Sequence, residues 1–488
     1  MDKQLPQPVL VWSASLFSLA LGSCAFGAAE NFKVTTDKTV DSSSLESIVA
    51  DVTRLSGAKT NDEKAVALYR YLHHAIFHWA YPTERAPQSV GPLKVINAYG
   101  WGLCGGQHTV LKALYETAGW KCRYMGWPGH TTIEVNYDEK WHYYDVFMKC
   151  YYWTKDKSHV ASQEEIANDP SIVLDAEKDG RAAPENLCCG DSLQGVVDGC
   201  KARKDCGDAK GWAAVTWRDQ GYNPLLTLRS GATLRQDWKA EPGLFAITGK
   251  APQHSCGTKD FRSDPVLGPR MEHYGPRNWS NGSLRYAPDF SKAADVADIE
   301  LTAAKASGGK LIAAGAAVAL FKLNLPYPFV TAKLDAVFED GEGKLSLSPD
   351  GGKTWQPATT GDCSALVKQK YDVWIKAEFS GALAKFVLEA VIEHNRGAQP
   401  HLLAGKNVVT VSTKENKLPE GAVLNVTYSF QEATAPANRA RWDGKGVTYA
   451  EVKTVTKEIG QLPFTFEIVV GGNTPPKMLS LERAVKGK

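Results

Sequence analysis

The sequence has no excess of charge of either sign: 56 lysines and arginines stand against 54 aspartates and glutamates, a formal net charge of +2. Basic and acidic residues are interleaved and no basic patch alternates with aromatics, so nucleic acid is not an expected partner. Beyond residue 29 no apolar stretch is long enough to cross a bilayer, so no transmembrane span is expected. No histidine stands at ligand spacing from the clustered cysteines Cys188, Cys189, Cys200 and Cys206, which makes zinc the weaker reading of that cluster. No metal and no cofactor is expected. What the chain does have is length: 488 residues suffice for roughly three domains, each with its own core.

The most informative stretch is Gly102-Leu103-Cys104-Gly105-Gly106-Gln107, followed by Gly129-His130 and Tyr144-Asp145. A Cys, a His and an Asp in that order supply a thiol nucleophile, its base and the group that orients the base. Val110, Leu111, Leu114, Tyr115 and Ala118 recur at helical spacing, which sets Cys104 at a helix N-terminus, where unpaired N–H groups favour a thiolate. The runs Thr131–Tyr137 and Trp141–Phe147 are β-branched and aromatic, with the polar pair Asp138-Glu139 between them, and predict a hairpin. A two- or four-residue loop sets Thr132 opposite Asp145. His130 and Asp145 then share a face as diagonal neighbours, roughly 7 Å apart. A three-residue loop would separate them. Ile133, Val135 and Tyr137 fall together on the other face, which favours the first register.

A Cys at a helix start, Gly-His opening a strand and aromatic-aromatic-Asp on the next strand resemble the transglutaminase-like superfamily of cysteine enzymes. The resemblance covers Asp62 to Trp153, and a helix over Asp62–Trp79, with Ala65, Leu68, Tyr69, Leu72 and Ile76 on one stripe, matches the helix that precedes the catalytic Cys. Relatives often carry Asp-Pro-Thr where this chain has Asp145-Val146-Phe147, which leaves the subfamily open. The resemblance implies an α+β catalytic domain, helices packed on an antiparallel sheet, with Cys104, His130 and Asp145 catalytic. It implies acyl transfer through a thioester: the thiolate attacks an amide carbonyl, the amine leaves, and water or another amine resolves the acyl-enzyme. The Cys104 N–H would hold the oxyanion, with a second donor among Trp79, Trp101 and Gln88. Hydrolysis of a peptide, isopeptide or side-chain amide, in protein or cell-wall material, ranks first. Protein crosslinking and cleavage of glycoasparagine follow. A secreted binding or scaffold protein with a degenerate domain is the non-enzymatic alternative.

Residues 1–29 read as an export signal, with Lys3 ahead of the apolar run Val9–Phe26 and small residues at Gly27-Ala28-Ala29. Leu21-Gly22-Ser23-Cys24 also resembles a lipobox, which would leave Cys24 lipidated; a secreted or periplasmic location is expected either way. With Cys24 and the catalytic thiol set aside, Cys122, Cys150, Cys188, Cys189, Cys200, Cys206, Cys256 and Cys363 form an even set able to make up to four disulfides.

Along the chain, residues 30–59 read as a linker running into a short helix and 60–153 as the catalytic domain. Residues 154–289 read as a Cys-rich irregular extension, in which Trp212, Trp217, Tyr222 and Trp238 fill a small core or line a cleft. From residue 290 short alternating runs between turns predict two all-β sandwich domains, 290–396 and 397–488. The first holds Ser348-Pro349-Asp350-Gly351-Gly352-Lys353-Thr354-Trp355, which matches the Asp-box of sialidases and other secreted β proteins. Asp350 would cap the turn, the glycines allow positive φ, and Trp355 would pack beneath. The box occurs once, which argues against a propeller; carbohydrate contact through these domains is an expectation by analogy only.

Among the remaining polar groups, His74 and His78 stand four apart on the predicted helix, with a surface or packing role favoured over metal. His108 is expected to point away from the cleft mouth, and His142 to be structural. Sequons stand at Asn278, Asn281 and Asn425.

Overall fold

The computed structural model describes residues 28–82, 84, 90–183, 192–207, 221–246, 279–434 and 448–488. Alternation of apolar with polar residues dominates the C-terminal half, and strands form there. Thirteen strands make one antiparallel sheet, and its central strand Ala382–Asn395 pairs with Trp279–Tyr286 and Phe329–Glu339. From Trp279–Tyr286 the sheet continues through Ala232–Asp237 to Lys477–Gly487, Ala422–Ala433 and Tyr449–Ile459. A four-stranded sheet of Phe464–Val470, Gly405–Ser412, Ala28–Thr36 and Leu226–Arg229 packs into the same apolar core, which runs from Ala29 to Val485.

This differs from two separate sandwich domains. Strands from 290–396 and 397–488 belong to one sheet, joined through Trp279–Tyr286 and Ala232–Asp237, both within the stretch expected to be irregular. Leu234 and Leu284 alternate with polar neighbours there and are buried, but each run is short and interrupted by charge. Residues 30–59 likewise hold more than a linker. Phe32 and Val34 point inward from the strand Ala28–Thr36, and the helix Leu45–Ser56 starts on a capping box between Ser44 and Ser47.

The N-terminal half centres on a second core, around Leu68, Tyr69, Leu111, Ile133 and Tyr144. Helices Asn61–Ala75 and Cys104–Thr117 pack on an antiparallel sheet of Lys140–Tyr144, His130–Tyr137, Lys121–Trp127 and Lys204–Gly207. The first of these helices ends at Ala75, not Trp79. Ile76 is extended (φ −136°, ψ 150°), and Phe77–His78 pairs in parallel with Trp101–Gly102. The β-branched and aromatic run Ile-Phe-His-Trp thus makes a strand where the apolar stripe suggests helix. His74 and His78 consequently share no helix face: the His74 ring lies 5.7 Å from His401, and the His78 ring lies 4.2 Å from Phe147.

No disulfide joins two of the described cysteines. Cys150 and Cys200 are fully buried in an apolar cluster with Trp127 and Tyr143, and the Cys363 thiol donates to the Ala332 carbonyl at 3.4 Å. These act as small core side chains in place of bridges. Cys24, Cys188, Cys189, Cys256, Trp212, Trp217, Gln88, Asn278 and the expected export signal up to Gly27 lie outside the described residues. Asn281 is buried and its amide is committed to Glu241, Leu244 and Ile392, which removes it as a glycan acceptor in the folded chain. Trp238 is a core residue, whereas the Tyr222 hydroxyl donates to the Pro326 carbonyl. In the Asp-box turn, Asp350 accepts from Ser348 and from both donors of Thr354, and Gly351 and Gly352 have positive φ. It is Trp374, not the half-buried Trp355, that packs against the turn, 2.7 Å from where a Cβ on Gly352 would lie.

One buried side chain locks the two halves together. Asn395, at the end of the central strand, donates to the carbonyls of Ala75 (2.7 Å) and Ile96 (2.5 Å) and accepts from the Gly397 N–H (2.8 Å). Gly100 (φ +72°) leaves room for it, since a Cβ there would lie 2.6 Å from the Asn395 side chain. Asn395→Ala leaves three buried backbone groups without partners and is expected to cost roughly 2–4 kcal/mol, read as a lower urea midpoint. An unchanged midpoint would show that this junction is held elsewhere.

Candidate active site

Cys104 is the first residue of its helix, after Leu103, which caps in extended conformation without a side-chain bond. The strand pair Phe77–His78 with Trp101–Gly102 delivers the chain to that point, and the Trp79 N–H bonds to the Gly102 carbonyl at 3.0 Å. Gly106 has no Cβ to meet the Tyr81 ring, which passes 3.5 Å from that position. Partial burial works to raise the Cys104 thiol, but the hydrogen bond and charge of His130 and the N–H groups of Thr131 and Gly105 hold it below its usual value.

The hairpin has the two-residue loop. Tyr137 pairs with Lys140, and Asp138 and Glu139 both have positive φ (49° and 61°), the geometry of a tight hairpin turn. Ile133 faces Tyr144, so the register carries Thr132 to Asp145, and Ile133, Val135 and Tyr137 are buried together in the core. His130 Nε2 lies 2.6 Å from Asp145 Oδ2. Asp145 is fully buried and accepts also from the Tyr143 hydroxyl (3.1 Å) and the Met148 N–H (2.8 Å). A reciprocal backbone pair with Cys150, 2.9 and 3.1 Å, fixes the turn that carries it. Burial opposes ionisation of Asp145, but the positive charge and hydrogen bond of His130 keep its carboxyl well below the usual range. Burial works to lower His130, yet the Asp145 carboxylate and the bonds to Asp145 and Cys104 push it up to about 10. The arrangement thus favours an imidazolium between a carboxylate and a thiolate.

His108, expected to point away from the cleft mouth, is fully buried and makes contacts the sequence did not indicate. Four residues after Cys104 it lies one turn along the same helix face, and its ring turns under the triad. Nδ1 is 2.8 Å from the Cys104 carbonyl oxygen, and Nε2 is 3.2 Å from the Val146 amide nitrogen and 3.5 Å from Asp145 Oδ1. His108, His130 and Asp145 bring metal-type donor atoms within 4.8 Å of one another. Each of those donors already has a protein partner, so the cluster is satisfied without an ion. His142 is stacked on Tyr137 at 3.7 Å with both nitrogens against backbone carbonyls, away from the triad.

Aromatic rings enclose His130. Trp127 meets its ring edge-on at 5.5 Å and Phe147 lies 5.3 Å away. Burial and the neighbouring His130 cation push His78, whose ring is tilted against Phe147 at 4.2 Å, down to about 4, so it is neutral beside the triad. Gly199 is required beneath Trp127, where a Cβ would lie 2.1 Å from the indole. Among the expected oxyanion donors, Trp101 is fully buried with its indole facing Glu393, whereas the Trp79 Nε1–H is buried without a partner among the described residues. Tyr143 was open to sequence reasoning, since it stands two residues before Asp145 on one strand and so shares its face. His78, Trp127 and Phe147 come from separate segments and carry no joint sequence signal.

The shifts of His130 and Asp145 define a pH window. The Asp145 contribution to stability is present above about pH 4 and is lost as pH falls through its depressed folded value. The His130 contribution is complete below about pH 6.5, its unfolded value, and is lost as pH rises towards its folded value of about 10. Asp145→Asn is therefore expected to lower the thermal midpoint most between about pH 5 and 6.5, with the deficit shrinking towards about pH 10. A deficit that stays flat across this range contradicts the charge pairing.

Comparison of the chain with protein-family models, curated proteins and solved structures returns no match.

Proposed function

We propose that this protein is a thiol hydrolase of amide bonds, with Cys104 as nucleophile, His130 as acid and then base, and Asp145 as the group that orients and charges His130. The observation that carries this reading is the 2.6 Å bond from His130 to a fully buried Asp145, beside a Cys104 thiol at the start of its helix that His130 holds below its usual value. The order Cys, His, Asp on a helix start and two adjacent strands is also the pattern that resembles the transglutaminase-like superfamily. The most economical substrate is a peptide, isopeptide or side-chain amide.

The Cys104 thiolate attacks the amide carbon, and the carbonyl π electrons move to oxygen. The Cys104 N–H faces that oxyanion, and the Trp79 indole N–H, without a partner among the described residues, is the second donor. As the tetrahedral intermediate collapses, His130 gives its proton to the departing amine and a thioester remains. Neutral His130 then takes a proton from water, whose oxygen attacks the thioester. Collapse returns the thiolate and the imidazolium and releases the acid. Asp145 keeps its charge throughout and holds one ring nitrogen, leaving the other for the reacting atoms.

Alkylation by iodoacetamide tests the reading. Cys104 is expected to react at neutral pH faster than an exposed cysteine, with a pH onset well below about 8.5, and Cys104→Ala is expected to abolish the fast phase. Labelling that follows an ordinary thiol titration would remove the enzymatic reading.

A further inference from the structure

We propose that His108 is a positioning residue of the triad, an imidazole that ties the backbone of the nucleophile to the backbone beside Asp145 in one tautomer only. The proposal rests on the reading of Cys104, His130 and Asp145 as an amide-cleaving triad and deepens it.

His108 is fully buried. The Cys104 carbonyl, 2.8 Å from Nδ1, only accepts, so Nδ1 carries the proton. The Val146 N–H, 3.2 Å from Nε2, only donates, so Nε2 carries the lone pair. Two backbone groups of opposite polarity thus select the neutral Nδ1–H ring. The residue that holds the nucleophile and the residue that follows Asp145 become two ends of one rigid five-membered ring. That span sets the gap that His130 must bridge between the thiol and the carboxylate. On the far side, His73 from the helix Asn61–Ala75 lies 3.2 Å from the Val146 carbonyl oxygen, so Val146 is held from both of its peptide groups.

Protonation of His108 would undo the arrangement. A proton on Nε2 removes the acceptor of Val146 and presents an N–H to Asp145 Oδ1, 3.5 Å away, drawing charge from the bond to His130. The ionisable groups that face the ring are Asp145, His130 at 5.6 Å between ring centroids, His78 from the strand Phe77–His78, and Cys104 on its own helix. The Nδ1–H tautomer is thus selected by its two backbone partners.

The test uses the full chain, wild type and His108→Leu, and measures the rate of Cys104 alkylation by iodoacetamide from about pH 5 to 10 together with the thermal midpoint. Leu fills the space and removes both bonds. The expected result is an onset moved upward by about one pH unit, hence alkylation slowed about tenfold at pH 6. A His108→Leu curve that coincides with wild type, whatever the midpoint does, overturns the proposal and leaves the triad standing. If His108→Leu does not fold, His108→Asn takes its place with the same two outcomes, because Asn keeps a donor for Cys104 but falls short of Val146. A wild-type curve that follows an ordinary thiol overturns the triad reading and this proposal together, so the two failures are told apart by the wild-type trace.

Discussion

The hydrogen bond between His130 and the buried carboxylate of Asp145 is the interaction on which the rest of the site depends. An ionised carboxylate without solvent is costly unless it is charge-paired and its oxygens are filled. Here Tyr143, the Met148 N–H and His130 fill them, and the reciprocal bonds with Cys150 hold the backbone in place. Once that charge is fixed in the interior, His130 is driven towards the imidazolium, and the thiol beside it towards the thiolate. The electrostatics run outward from the most buried group to the most exposed.

Several parts of the fold converge on that bond. The hairpin turn Asp138-Glu139 sets the register that puts His130 and Asp145 on one face. The parallel pair Phe77–His78 with Trp101–Gly102 aims Cys104 at the same face and adds His78 to the rim. Asn395 joins this half to the large sheet by satisfying carbonyls at Ala75, two residues before Phe77, and at Ile96, five residues before Trp101. The sheet thereby braces the segments that present Cys104, although its described strands contribute no group to the Cys104–His130–Asp145 cluster.

The local parts of the site were legible in the sequence because each rests on a short-range rule. A glycine-flanked Cys before a 3.6-residue stripe gave the helix start, and a polar pair between two β-rich runs gave the hairpin and its register. The alternating runs after residue 290 likewise mark observed strands. What escaped is what depends on long-range pairing. The strand Ala28–Thr36 finds its partner at Gly405–Ser412, and nothing in either run names the other. The helix end at Ala75 was hidden because an apolar stripe continues through Ile76 while the backbone leaves for a partner at residue 101. The partners of His108 escaped because Val146 and Asp145 reach it from the hairpin that wraps beneath the helix, almost forty residues along the chain. Cysteine parity was a guide to disulfides only if burial did not already explain the thiols, as it does for Cys150, Cys200 and Cys363.

The central claim is that His130 is a cation at neutral pH, held so by Asp145 and matched by a Cys104 thiolate. Nitrogen-15 NMR of the histidine rings, with His130 assigned by its loss in His130→Gln, reads that charge directly. The account predicts that both His130 nitrogens carry protons at neutral pH and that the ring titrates near 10. A His130 that loses its proton near the ordinary value of about 6.5 would contradict the account.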